Sequence, residues 1–247
     1  ASNAGAAAQT ALLNDTDGAV TFDKTQPSLS AVTLTSDNSI NNAYGREGSI
    51  LTLAFSASER LNSTQMAVTI ATETVTPSIT TAWNGTAEIW AASYTLSSSD
   101  YDGQSGVAIP FTIDYEDLNG YDGTQVTEAD AAAAMTFDRN APTITSYTAA
   151  SSSGANYAKA GDIITLTLTT NENLDEPVIT IAGNTKAGGL VNISQGGNAQ
   201  TWTATYTMRD PQDDDITAIA STLSFTDLAG NAGTSQAPIP SIVFDKT

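Results

Sequence analysis

Phe137-Asp138-Arg139-Asn140-Ala141-Pro142 is the middle one of three related stretches; the others are Phe22-Asp23-Lys24-Thr25-Gln26-Pro27 and Phe244-Asp245-Lys246-Thr247. An aromatic residue, an aspartate and then a proline read as a closing strand running into a linker, because proline fixes φ and has no N–H to continue a ladder. The three aspartates stand 115 and 107 residues apart, a spacing that suits two compact domains of about 100 residues each. The expected domains are 23–138 and 139–247, with 1–22 as a leader or the last strand of a preceding repeat, in a chain cut from a longer one.

Working outward from these marks, the two halves align. Tyr44-Gly45-Arg46-Glu47-Gly48-Ser49-Ile50 matches Tyr157-Ala158-Lys159-Ala160-Gly161-Asp162-Ile163, and Ser58-Glu59-Arg60-Leu61 falls on Asn171-Glu172-Asn173-Leu174. Trp90-Ala91-Ala92-Ser93-Tyr94-Thr95 matches Trp202-Thr203-Ala204-Thr205-Tyr206-Thr207, and Asp117-Leu118-Asn119-Gly120 matches Asp227-Leu228-Ala229-Gly230. Four motifs in one order, twice, make an internal repeat. Short alternating apolar runs such as Ile50-Leu51-Thr52-Leu53-Ala54-Phe55 predict strands with one face in a core. In the first half strands are expected near 31–35, 49–57, 66–72, 77–81, 89–96, 107–115 and 133–137; in the second, near 163–168, 178–181, 201–208 and 223–225. A short helical turn is expected at 129–134. Seven short strands per hundred residues point to a Greek-key sandwich without a cysteine pair.

Acids outnumber bases 27 to 8, giving a net charge of −19, with no histidine and no cysteine. Such a surface repels a phosphate backbone, so neither nucleic acid nor an anionic membrane is an expected partner. No apolar run is long enough to span a bilayer. Without histidine or cysteine the commonest general bases and nucleophiles are missing, and no catalytic residue is assigned. The acidity fits either a strongly solvated surface or sites for hard cations.

Phe-Asp-Lys-Thr, the Tyr-x-x-x-Gly opening of the second strand, Trp-x-Ala-x-Tyr-Thr and Asp-Leu-Ala-Gly-Asn-Ala-Gly together resemble the tandem immunoglobulin-like repeats of large bacterial surface adhesins and related secreted proteins, over nearly all of residues 20–247. The resemblance implies an all-β chain of two tandem seven-stranded Ig-like Greek-key sandwiches in an elongated arrangement. It also implies an extracellular or cell-surface location, neighbouring repeats as partners, and calcium between repeats.

In such a sandwich successive loops alternate between its two ends. Glu47, Asp100, Asp102, Asp138 and Asn140 then fall at the exit end of the first domain, and Glu172 and Asp227 at the entry end of the second. This set resembles the cadherin plan, in which a linker and two domain ends share calcium, although the full Asp-x-Asn-Asp-Asn linker is missing and Ala160 replaces the acid at the second copy of Glu47. Clustered carboxylates repel one another until a cation neutralises them; solvated loop acids are the plainer alternative. On the same map Asp23, Glu59 and Asp117 form a half-site at the other end of the first domain, and Asp213, Asp214, Asp215 and Asp245 one at the far end of the second.

Trp90 and Trp202, recurring with Tyr94 and Tyr206, are expected in the cores. Trp83 has no counterpart and is the candidate for a ligand platform, with folding over the sandwich end as the plainer reading. The Asp-Leu-x-Gly stretches suit tight turns as well as cation loops. The expected role is a spacer or adhesion module stiffened by calcium. The alternatives are a glycan- or protein-binding module, or accessory domains of a secreted hydrolase.

Overall fold

The computed structural model describes residues 24–101, 104–130, 134–154, 156–209, 217–234 and 242–245, and every regular element among them is a strand. In the first half these are β1 (Leu29–Ser36), β2 (Tyr44–Gly45), β3 (Ile50–Ala57), β4 (Ala67–Ile70), β5 (Glu73–Val75), β6 (Ser78–Thr81), β7 (Glu88–Thr95), β8 (Val107–Ala108), β9 (Phe111–Asp114) and β10 (Thr136–Phe137). In the second they are β11 (Ile144–Ser151), β12 (Tyr157–Ala158), β13 (Ile163–Thr170), β14 (Val178–Ile181), β15 (Val191–Gln195), β16 (Thr201–Thr207), β17 (Thr217–Ala218), β18 (Ser221–Ser224) and β19 (Val243–Phe244).

One sheet runs β1-β3-β7-β6 and its repeat runs β11-β13-β16-β15. The opposing strands run β5-β4-β9 and β2-β10-β8 in the first half, and β14-β18 and β12-β19-β17 in the second. This is the A-B-E-D sheet of an immunoglobulin-like sandwich facing its C-F-G strands. In each half the chain's first edge switches sheets: after the long β1 or β11, the two-residue β2 or β12 pairs parallel with the closing β10 or β19. A strand lies in each expected stretch, with 107–115 divided into β8 and β9; β2 and β5 in the first half and β11, β12, β15, β17 and β19 in the second lie outside those stretches. The helical turn expected at 129–134 does not form at Ala129 and Asp130. Asp130 instead pairs with Val32, giving its N–H to the Val32 carbonyl and accepting the Val32 N–H on Oδ2, each at 2.9 Å; residues 131–133 lie outside the described residues.

Contacts divide the chain into two compact units. One takes in the residues up to Leu34, Thr52–Tyr94 and Pro110–Ala134; the other holds Thr35–Leu51, Thr95–Ile109 and the chain from Met135 on. In the first unit Leu53, Phe55, Val68, Ile70, Trp90 and Ile113 are buried. In the second, Ile164, Leu166, Leu168, Ile181, Trp202 and Tyr206 form a core that Phe244 closes. Alternation makes this possible: β13 buries Ile164, Leu166, Leu168 and Thr170 and turns its other side chains outward.

The repeated motifs have local physical causes. At Gly48 and Gly161, φ is +84° and +92°, and the turn is closed by Ser49 Oγ accepting the Arg46 N–H at 3.0 Å or Asp162 Oδ2 accepting the Lys159 N–H at 2.9 Å. A buried acceptor is also conserved in role and changed in kind. Glu88, 3% exposed, takes the Leu61 N–H at 3.2 Å and the Trp90 indole N–H at 3.1 Å on one oxygen. In the second half the Ala199 carbonyl takes the equivalent Leu174 N–H at 2.9 Å and Trp202 indole N–H at 3.0 Å.

Candidate metal centre

All the residues of the centre belong to the unit that runs on from Met135. Asp138 follows β10, and its N–H goes to the Gly45 carbonyl at 2.8 Å, which extends the parallel pairing of β2 and β10. Its Oδ1 accepts the Ser105 hydroxyl at 2.6 Å and the Asn140 N–H at 3.0 Å, while Ser105 Oγ accepts the Arg139 N–H at 3.0 Å. The carboxylate is therefore oriented by Ser105 and by its own linker.

Glu172 sits in the turn after β13. The Thr170 hydroxyl donates to its carbonyl at 2.8 Å, and Asn171 Oδ1 accepts the Thr143 N–H at 2.6 Å. The chain leaving Asp138 is thereby tied to the turn that carries Glu172. Asp227, 1% exposed, caps the turn after β18: Oδ1 accepts the Asn231 N–H at 2.8 Å and Oδ2 the Asn231 side-chain amide at 2.8 Å. That same amide donates to the Asp138 carbonyl at 3.1 Å.

One oxygen from each of Asp138, Glu172 and Asp227 lies within 4.8 Å of the other two. Burial raises the pKa of Glu172, and the charges of Asp138 and Asp227 raise it further. Burial also raises that of Asp227, with the hydrogen bonds from Asn231 opposing and the Asp138 charge adding to the rise. The centre thus favours either protons or a cation. Calcium–oxygen bonds of about 2.3–2.6 Å place two oxygens on opposite sides of one ion about 5 Å apart, and the separations among these three oxygens lie within that span.

The burial of Asp227 does not require an ion. Asp117, its counterpart, is also 1% exposed and caps its turn in the same way, accepting the Asn119 and Tyr121 N–H groups at 2.7 and 2.9 Å. In both turns a second glycine lies against an aromatic ring: a Cβ at Gly123 would stand 2.1 Å from Tyr115, and one at Gly233 2.0 Å from Phe225. The Asp-Leu-x-Gly motif is in both copies a turn. The arrival of Asp138 and Glu172 beside the second one makes the centre.

Among the described residues, Glu47 and Asp100 are outside this group. Glu47 is exposed and lines an open cleft of about 360 Å³ with Asp37, Asn38 and Arg46. Asp100 closes its own turn by accepting the Ser97 N–H at 2.7 Å. Asn140 is exposed beside Asp138. Of the half-sites, Glu59 is half-buried, Asp117 is buried with no hydrogen-bond partner at Oδ2, and Asp245 follows β19 with its N–H on the Ala158 carbonyl at 2.8 Å. Asp23, Asp102, Asp213, Asp214 and Asp215 lie outside the described residues. Trp83 is half-buried in a loop closed by Asn84, whose Oδ1 accepts the Thr86 and Ala87 N–H groups. Ser105 lies in no motif, and Asn231 ends the Asp-Leu-Ala-Gly-Asn stretch without an acid to mark it as a ligand; both are held to Asp138 across long stretches of chain.

No protein-family model matches the sequence, and no curated protein does. Among solved structures the chain is similar to fibronectin(III)-like modules of CbhA from Clostridium thermocellum, with TM-score 0.40, 10% identity, and coverage of 87% of this chain and 95% of that one. It is also similar to the D00-D0 domain of intimin (TM-score 0.27, 14% identity, 86% and 99% covered) and to Rst D1-D2 (TM-score 0.31, 8% identity, 90% and 100% covered).

Proposed function

We propose that this chain is a structural spacer and adhesion module of a large secreted or cell-surface repeat protein, with calcium held by Asp138, Glu172 and Asp227. The convergence of these three carboxylates within 4.8 Å carries the reading. A bound calcium supplies the positive charge that three adjacent carboxylates need, and it ties the linker residue Asp138 to the turns carrying Glu172 and Asp227. Asn140, next along the linker, is the expected oxygen donor whose N–H already bonds Asp138.

A mechanical role rather than a catalytic one is supported by repetition. The tryptophans, the capped Asp-Leu-x-Gly turns and the Phe-Asp exits occur in both halves, as structural devices do, and neither histidine nor cysteine is present. Equilibrium dialysis against calcium tests the ion directly. The wild-type chain is expected to hold one ion more than Asp138→Ala at the same free calcium; equal counts would remove calcium from the account.

A further inference from the structure

The turn Asp227-Leu228-Ala229-Gly230-Asn231 is gripped from outside by two side chains of the 36–49 segment. The Asn38 side-chain amide donates to the Leu228 carbonyl at 2.8 Å, and the Arg46 guanidinium donates to the Gly230 carbonyl at 2.6 Å. Asn38 is itself set in place: its N–H goes to Ser36 Oγ at 3.1 Å and its Oδ1 accepts the Ile40 N–H at 3.0 Å. Arg46 projects from the turn that Ser49 closes. Gly230, at φ +86°, brings its backbone so near that a Cβ would lie 3.6 Å from the guanidinium carbon.

The first-half turn Asp117–Tyr121 supplies an internal comparison. It has the same main-chain hydrogen bonds and the same Oδ1 cap, yet Leu118 is 57% exposed and Tyr121 37%, whereas Leu228, Gly230 and Asn231 are half-buried and Ala229 is 2% exposed. The covering of the second turn therefore comes from outside it. The gripping residues are also particular to their position. Those aligned with them in the second half are Ser153 and Lys159, a shorter side chain and a cation without arginine's planar fork.

We infer that Asn38 and Arg46 are positioning residues for the carboxylate centre: they hold the 227–231 turn so that Asp227 and Asn231 face Asp138 before any cation arrives. This inference rests on the calcium reading for its functional meaning, but the grip can be measured without an ion. Hydrogen bonds to two backbone carbonyls, one of them charge-assisted, set the turn against the mutual repulsion of three carboxylates. An ion entering a pre-set site does not have to order the turn, and its affinity is higher by that amount.

The test uses the full chain in two measurements. Calorimetric titration with calcium chloride is expected to show the same stoichiometry for the Asn38→Ala/Arg46→Ala double variant as for wild type, with affinity lowered about tenfold or more. Hydrogen exchange in chelator is expected to show the Gly230 and Asn231 amides losing protection in the double variant, with amides of β13 and β16 unchanged. Unaltered exchange at Gly230 and Asn231 overturns the grip whatever calcium does. Altered exchange with unaltered calcium affinity overturns the positioning role and leaves the ion site standing. Absence of calcium binding by the wild-type chain overturns the ion reading, and the positioning role with it, while the exchange result still decides the grip.

Discussion

Single residues in this chain carry consequences that differ between copies of the same motif. Glu88 offers one carboxylate oxygen to two buried donors, the Leu61 amide and the Trp90 indole, whereas the second half uses the Ala199 main chain for the same pair. Glu88→Ala strands both donors and is expected to cost about 2–4 kcal/mol, read as a lower urea midpoint; Glu88→Gln keeps an acceptor there and should cost less. Gly233→Ala puts a methyl 2.0 Å from the Phe225 ring and is expected to destabilise by about 1–3 kcal/mol through overpacking. Neither cost was legible from the motifs. Glu88 reads as a surface acid because nothing in the sequence says that its strand neighbour Trp90 turns its indole N–H toward it. The glycines read as turn residues, and their closeness to an aromatic ring appears only once the strand before the turn is in place.

At the scale of elements, turns decide more than strands do. β4 and β5 are joined through Ala71 and Thr72, both at positive φ (55° and 72°), a two-residue hairpin turn that normally calls for Asn-Gly. The second half meets the same need with Ala182 and Gly183. A β-branched residue in this region is strained by about 1–2 kcal/mol, so Thr72→Gly is expected to raise stability by about 0.5–1 kcal/mol in chemical denaturation.

The turns of the carboxylate centre should show in its pH response. Glu172 and Asp227 titrate higher in the folded chain than in the unfolded one, so the native state binds more protons above the unfolded value of about 4. Their contribution to stability is therefore lost as pH rises from about 4 through the raised native values, and the loss is complete above them. In calcium-free buffer, wild type should lose more stability than Asp138→Asn over this range, since Asp138 is a source of both shifts. Identical slopes would show that the three groups do not interact. The sandwich class and the nearness of Glu172 and Asp227 at one end of the second half were open to reading from the repeat. Asn38 and Leu228 stand 190 positions apart and Arg46 and Gly230 184, and no pattern in a single sequence joins side chains to carbonyls at that distance.

For the whole molecule, a net charge of −19 sets the background. Self-repulsion of that size is screened by monovalent salt, so sodium chloride alone should stabilise the chain in a gradual, site-independent way. Calcium at the proposed centre is expected to act differently. It saturates, and at a hundredfold excess over its dissociation constant it adds about 2.7 kcal/mol. The map drawn from strand alternation brought seven residues to one end of the first domain and the start of the second; the structure joins Asp138, Glu172 and Asp227 and leaves Glu47 exposed on a neighbouring cleft. Loop ends, which alternation does not set, account for the difference.

The most direct test is thermal unfolding of wild type, Asp138→Ala and Glu47→Ala at fixed ionic strength, in millimolar calcium and in chelator. Wild type and Glu47→Ala are expected to gain several degrees in calcium, and Asp138→Ala almost none. Equal calcium shifts in wild type and Asp138→Ala, or no shift in wild type, would contradict a calcium centre at Asp138, Glu172 and Asp227.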